Sequence, residues 1–296
     1  RNLMPDISTL SSDVRTLLSN VAAGVKAPVD AEGLARLAAN VAQAVHDGLT
    51  REVKDRTRGE ERRLYMSELG TPCTRQLWYK LHTPGVGDKL EPSAVFKFMY
   101  GSVIEEIALY LAQLAGHEVH EQQKSAEIKH KGWTVRGRRD ATIDGVCVDV
   151  KSASPYGYDK IVNTGLTDEN DSFGYRAQVS GYAYSENPEA PPDVGILAVD
   201  KQNGHIKYTP TDYIDPIARL DDIIPDLELP EPPSRTFAAV TMANGNQKLC
   251  TECSYCAYKN TCWSEANDGK GLIRAEYAAK HAFMVKIVKP LRVTTS

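Results

Sequence analysis

The residues best suited to chemistry lie in one short stretch, Gly137-Arg-Arg-Asp-Ala-Thr-Ile-Asp-Gly-Val-Cys-Val-Asp-Val-Lys151. Asp144-Gly145 is a strong signal for a two-residue hairpin turn. With that pair in the turn, Asp140 falls opposite Asp149. Strand alternation puts Ala141, Ile143, Val146, Val148 and Val150 on one face and Asp140, Thr142, Cys147, Asp149 and Lys151 on the other. Like charges directly opposed in a sheet cost a few tenths to about 1 kcal/mol, so something must reconcile them. A divalent cation does this most simply, because Mg²⁺ favours one or two carboxylates, several waters and phosphate oxygens. Lys151, two residues beyond Asp149, is placed to orient or deprotonate a water, or to stabilise charge on a phosphate. The plainer alternative is a solvated face on which Asp149 pairs with Lys151.

Cysteine placement is the second signal. Four of the six cysteines fall within thirteen residues, at Cys250, Cys253, Cys256 and Cys262, while Cys73 and Cys147 stand apart. Thiolates at the spacing Cys253-x2-Cys256-x5-Cys262 are soft ligands suited to zinc or to an iron-sulfur cluster, and spacing does not separate the two. Cys147, on the polar face of the hairpin, is expected to pack rather than ligate.

These residues need elements to hold them. Apolar periodicity over 8–47, interrupted by Pro28, predicts two helices. The charged run 51–63 reads as a connector or an exposed helix. Cys73 leads into a helix that ends near Pro84-Gly85, and Val95 to Ala115 is a long helix closed by Gly116. Short strands are expected over 125–129 and 133–151, then a helix from Ser172 to Tyr184. A buried strand follows from Val194 to Val199, and Asn203-Gly204 turns the chain back through Tyr208. The order implies an α/β or α+β core wrapped by helices.

Composition bounds the function classes. The chain has 296 residues, of which 42% are hydrophobic and 25% charged, the make-up of a globular protein. No apolar run reaches the roughly 18 residues of a membrane span, and the N-terminus lacks signal-peptide order, so a soluble, intracellular (cytoplasmic) protein without a membrane partner is expected. With 35 Lys and Arg against 39 Asp and Glu, a general attraction for nucleic acid is absent and any polyanion must be met locally. Basic residues do cluster at Lys124, Lys129, Lys131, Arg136, Arg138 and Arg139.

Asp140 with Asp149-Val150-Lys151 resembles the motif of the PD-(D/E)XK nuclease superfamily, an Asp on one strand and acidic-x-Lys on the next. Gly137-x-x-Asp140 and the downstream Gln178-Val-Ser-Gly-Tyr182 are similar to the RecB-like iron-sulfur exonuclease branch, which includes the CRISPR-associated 4Fe-4S exonucleases. Where that branch carries Gly-x-x-x-His on the preceding helix, this chain has Gly101-Ser-Val-Ile-Glu105. Glu105 therefore takes the position of the histidine, with Glu106 as its rival. The resemblance implies a restriction-endonuclease-like α/β core with a central mixed sheet flanked by helices. It also implies a [4Fe-4S] cluster held by Cys73, Cys253, Cys256 and Cys262. Zn²⁺ is the alternative metal and Cys250 the alternative fourth ligand.

The expected organisation is an N-terminal helical region (1–66), a nuclease core closed by the cluster (67–263) and a basic C-terminal tail (264–296). The resemblance implies a metal-dependent DNA exonuclease, acting on single-stranded ends with 5′-3′ polarity favoured. Asp140, Asp149, Glu105 and the Val150 carbonyl would bind Mg²⁺ or Mn²⁺. Lys151 and Gln178 would complete the catalytic set, and Gln178, Tyr182, Arg136, Arg138 and Arg139 would contact the strand. The absence of a Gly-x4-Gly-Lys-Ser/Thr loop implies that any unwinding is left to a partner, a helicase or recombination protein. An endonuclease, or a catalytically silent single-strand-binding module, are the competing readings.

Overall fold

In the computed structural model, which describes residues 6–50, 62–83, 85–277 and 280–291, the Asp-Gly turn forms as its sequence demands. Asp144 and Gly145 both have positive φ, 49° and 83°, which matches the twist of the flanking strands. His117 Nδ1 lies 2.6 Å from Asp144 Oδ2, and the Glu118 N–H donates to Oδ1 at 2.9 Å.

The chain begins with α1 (Leu10–Ala22) and α2 (Ala31–Thr50), then β1 (Arg63–Tyr65), α3 (Met66–Leu69), α4 (Thr74–His82) and α5 (Pro92–Leu114). Next come β2 (Val119–His120), β3 (Ser125–His130), β4 (Trp133–Arg138), β5 (Ala141–Ile143) and β6 (Val146–Ala153). After these follow α6 (Pro155–Asp159), a π-helical turn (Lys160–Thr164), α7 (Tyr175–Glu186), β7 (Val194–Asp200), β8 (Ile206–Pro210) and α8 (Pro216–Leu227). The remainder is β9 (Val240–Thr241), β10 (Gln247–Lys248), α9 (Thr251–Ser254), α10 (Lys259–Cys262), α11 (Ala266–Gly269), β11 (Ile273–Tyr277) and β12 (Lys280–Lys286). The expected connector over 51–61 lies outside the described residues.

The protein is mixed α/β and falls into two compact units. The first takes α1, α2, the segment 62–70 and Glu91–Asp221. Its five-stranded sheet has the order β2-β5-β6-β7-β8, antiparallel except for the parallel pair β6–β7. Ala141, Ile143, Val146, Val148 and Val150 form one core with Leu10 and Val14 of α1 and with Ala108, Leu109 and Ala112 of α5. The alternation read from the sequence therefore holds on this face. The opposite face is covered by α7 rather than solvated: Asp149 and Cys147 are both fully buried. Residues Val146 to Val150 of β6 are buried and the strand opens from Lys151 onward, while its parallel pairing with β7 continues to Ala153. A three-stranded sheet, β1-β4-β3, lies in the same unit.

The second unit takes Thr71–Leu90 and the chain from Asp222 onward. Its sheet has the order β11-β12-β10-β9. The stretch after Trp263, read from its charge as a basic tail, is folded over most of its length, with β11 and β12 forming an antiparallel hairpin. No helix among the described residues is long and apolar enough to cross a membrane.

Candidate active site and cysteine segment

Four elements of the first unit bring the acidic residues together. Asp140 precedes β5, and its Oδ2 accepts the Val150 N–H at 2.7 Å. Asp149 and Lys151 follow on β6, where Lys151 Nζ lies 2.6 Å from Asp149 Oδ2. From α7, the Gln178 amide spans the pair: its Nε2 donates to Asp149 Oδ1 at 3.2 Å, and its Oε1 accepts from Lys151 Nζ at 3.4 Å. Tyr182, one turn further along α7, lies with its hydroxyl 3.5 Å from Gln178 Nε2. The ion pair of the plainer sequence alternative thus exists, but in a buried setting.

The two glutamates of α5 separate cleanly. Glu106 is buried and its Oε2 accepts from Asn40 Nδ2 of α2 at 2.9 Å. Glu105 instead senses the charges of Asp149 and Lys151. Its Oε1 accepts from Gln123 Nε2 at 2.7 Å, and the Gln123 N–H donates to the Asp140 carbonyl at 3.3 Å.

Electrostatics follow from this crowding. Burial, then the charges of Glu106 and Asp149, push the Glu105 carboxyl up to about 7, with Lys151 and the Gln123 hydrogen bond partly opposing. Burial, then Asp149 and Glu105, raise Asp140 well above the carboxylate range. Asp149 is raised by burial against the pull of Lys151. For Lys151, burial disfavours the charge, but Asp149 and Asp140 outweigh it and raise the amine. The Asp149 charge raises both Glu105 and Asp140, and all three are hard-oxygen donors of the kind that Mg²⁺ or Mn²⁺ takes. Among the described residues, however, no group of three or more His, Cys, Asp or Glu side chains is arranged to hold a metal ion.

Gly137 owes its identity to Tyr182. A Cβ there would lie 2.7 Å from Met66 Cγ and 2.8 Å from the Tyr182 ring, so the strand approaches α3 and α7 only without a side chain. Tyr182 is itself buried, and burial followed by the Asp149 charge raises its phenol. Its hydroxyl faces the Gln178 amide and its ring lies against Gly137.

The basic cluster divides. Arg139 is 2% exposed and is paired with Glu121 and Glu186, so it is a structural cation and the expected strand contact is corrected for this residue. Arg136 is exposed and its Nε lies 2.7 Å from Glu127 Oε2. Lys124 pairs with Glu121, Lys129 with Glu127 and Lys131 with Asp221. Arg138 is exposed. Two further participants were not read from the sequence. Gln123 sits in a turn with positive φ and has no local signal. Tyr175 lies three residues before Gln178 on the same face of α7, with Lys151 Nζ 4.7 Å from its ring centroid.

In the second unit, Cys73 is the residue that caps the N-terminus of α4. Tyr79 of α4 stacks on Tyr258 of the cysteine segment at 5.7 Å, and the Asp88 N–H donates to the Ala257 carbonyl at 2.7 Å. Burial, a hydrogen bond with Cys250 and the charges of Cys250, Cys73 and Cys256 raise the Cys253 thiol. Cys256 is pushed up to about 11 by burial, with Cys73 and Cys262 adding to it and the Tyr258 N–H opposing. Five thiols therefore sense one another, a donor chemistry that suits a soft metal centre. Cys147 is apart, buried, with its Sγ 3.8 Å from the Val179 carbonyl and its thiol pushed up to about 12 by burial.

No family model matches the chain, and no curated protein matches it. Among solved structures it is similar to one titled "Crystal structure of SSO0001", at 17% identity and a TM-score of 0.42, over 74% of this chain and 91% of that chain.

Proposed function

We propose that the chain is a metal-dependent nuclease of the PD-(D/E)XK type, RecB-like, with a restriction-endonuclease-like core, that hydrolyses phosphodiester bonds in single-stranded DNA from its ends. The observation that carries this reading is the convergence of Glu105, Asp140, Asp149, Lys151 and Gln178 around the middle of β6. An isolated ion pair has no use for two further carboxylates, and burying them without a counter-charge is costly.

Asp140, Asp149, Glu105 and the Val150 carbonyl would hold Mg²⁺ or Mn²⁺. When bound, such an ion neutralises charge that develops on the phosphoryl oxygens and the leaving oxygen. Lys151 is held in its charged form by Asp149 and Asp140, so it donates to and orients the attacking water rather than taking its proton. The water oxygen bonds to phosphorus as the bond to the leaving nucleoside oxygen breaks; the water's proton passes to solvent, and the leaving oxygen takes a proton from solvent. Gln178 keeps Asp149 and Lys151 in register, and Tyr182 supports Gln178. Cys73, Cys253, Cys256 and Cys262 would hold a [4Fe-4S] cluster with a folding role, Zn²⁺ and Cys250 being the alternatives.

The test is a gel assay of the purified full chain on linear single-stranded DNA with Mn²⁺ or EDTA. Mn²⁺-dependent product that disappears in Asp149→Ala supports the reading. Binding without product would favour a silent binding module, and cleavage of circular single strands an endonuclease.

A further inference from the structure

Beyond the catalytic set, an aromatic path leads from Lys151 to the surface. Lys151 Nζ lies 4.7 Å from the Tyr175 ring centroid, and the Phe173 ring stacks on Tyr175 with centroids 5.7 Å apart and planes inclined by 23°. Phe173 is 58% exposed. A large apolar ring facing water contributes little to folding, so its burial must be supplied by something else or not at all.

The segment that presents it is rigidly held. Both carboxylate oxygens of Asp171 are engaged at 2.9 Å, by the N–H groups of Tyr175 and Arg176. Gly174 has φ +70°, and its backbone approaches that of Gly70 so closely that a Cβ on either would lie 2.2 Å from the other. Phe173 therefore cannot withdraw by a small loop adjustment. It is fixed in an exposed position, with Tyr175 behind it and the amine of Lys151 behind that.

The geometry points to Phe173 as the platform on which an unpaired base stacks when the phosphate of a neighbouring nucleotide lies at Lys151. This inference deepens the nuclease reading above and rests on it. Every base offers a π-face, so such a platform selects for single strands without selecting sequence. A base inside a duplex has both faces occupied and cannot use it. Phe173 is then a positioning residue that sets substrate class, and Tyr175 is its support.

The experiment compares wild type, Phe173→Ala and Phe173→Trp in the full chain, using a fluorescein-labelled oligothymidylate in Ca²⁺ for affinity and in Mn²⁺ for KM. A second oligonucleotide carries abasic sites at its end. Stacking losses of this kind correspond to roughly five- to a hundredfold weaker binding. That loss is expected for Phe173→Ala on the oligothymidylate, with an unchanged melting temperature and no further loss on the abasic strand. Phe173→Trp is expected to retain affinity and to show fluorescence quenching on binding, since the native Trp78, Trp133 and Trp263 are all buried. Equal affinity and KM for wild type and Phe173→Ala overturn the inference while leaving the nuclease reading intact. An equal loss on both oligonucleotides also overturns it. A wild-type protein that neither binds nor cleaves either strand removes both.

Discussion

Asp140 reaches the middle of β6 through the backbone: its carboxylate accepts the N–H of Val150, the residue between Asp149 and Lys151, at 2.7 Å. The ladder of β5 and β6 ends at Ala141 opposite Val148, so this side chain stands in for the next backbone hydrogen bond. One acidic group is thereby anchored to the peptide that separates the other two functional residues. Any movement of β6 at Val150 carries all three.

Substitutions at Asp149 should separate activity from stability. Asp149→Asn keeps the shape and removes a buried charge that Asp140 and Glu105 repel. Mn²⁺-dependent hydrolysis should fall by about 10²- to 10⁴-fold, the scale of losing a positioned catalytic group. Melting in EDTA should stay at or above the wild-type temperature. Lys151→Ala should lose activity on the same scale. Full activity in either variant would remove the mechanism.

The raised Glu105 pKa gives a pH signature in the metal-free protein. A carboxyl that titrates at about 7 when folded and in the ordinary range when unfolded binds more protons in the native state between those values. Its contribution to stability is therefore greatest below the unfolded pKa and is lost as pH rises toward 7. Urea midpoints in EDTA should show wild type losing stability relative to Glu105→Gln between pH 4.5 and pH 7.5. Mn²⁺ should shrink the difference, because the ion supplies the missing positive charge.

What was legible in the sequence was local. Asp144-Gly145 fixes its own turn, and period-two alternation around it fixes which face joins the α5 core. Glu105 and Glu106 could not be separated by periodicity, because α5 is covered on one side by α2 and on another by the sheet. Asn40 of a different helix, on Glu106, and Gln123 of a turn, on Glu105, distinguish them. The role of Arg139 depends on Glu186, 47 residues away, and no short-range pattern announces such a pair. Gln123 is placed by a turn with non-glycine residues at positive φ, which leaves no compositional trace. In the hairpin of β11 and β12, basic residues interrupt the period-two pattern, so the segment has the composition of a charged tail.

Gly137 tests the support beneath the site. Alanine normally gains over glycine within a strand, but here a Cβ meets Met66 and the Tyr182 ring at under 3.0 Å. Gly137→Ala should destabilise by about 1–3 kcal/mol, the cost of overpacking. Met66→Ala in the same chain should recover part of that loss, so a double-mutant cycle by urea denaturation should be clearly non-additive.

The cysteines predict a metal dependence for folding. Cys73→Ser, Cys253→Ser and Cys262→Ser should each lower bound iron and the melting temperature of anaerobically purified protein, whereas Cys147→Ser should leave iron content unchanged. Cys250 is the discriminating position, because its thiol is hydrogen-bonded with Cys253. Iron lost in Cys250→Ser and kept in Cys73→Ser would exchange the two assignments. Zinc in place of iron would change the centre but not the ligand logic.

The two adjacent arginines at the end of β4 should behave oppositely. Arg139 is buried while its partners Glu121 and Glu186 reach the surface, so truncating it removes packing and two charge contacts and leaves carboxylates that water can solvate. Arg139→Ala should lower stability by about 1–3 kcal/mol, read as a lowered urea midpoint. Arg138 is exposed, and Arg138→Ala should leave the midpoint within about 0.5 kcal/mol of wild type. If Arg138 touches a phosphate of the bound strand, its removal should also lower the slope of log affinity against log salt by about 0.7, the single-strand value for one contact. A change in salt slope for Arg139→Ala with no loss of stability would reverse the two roles.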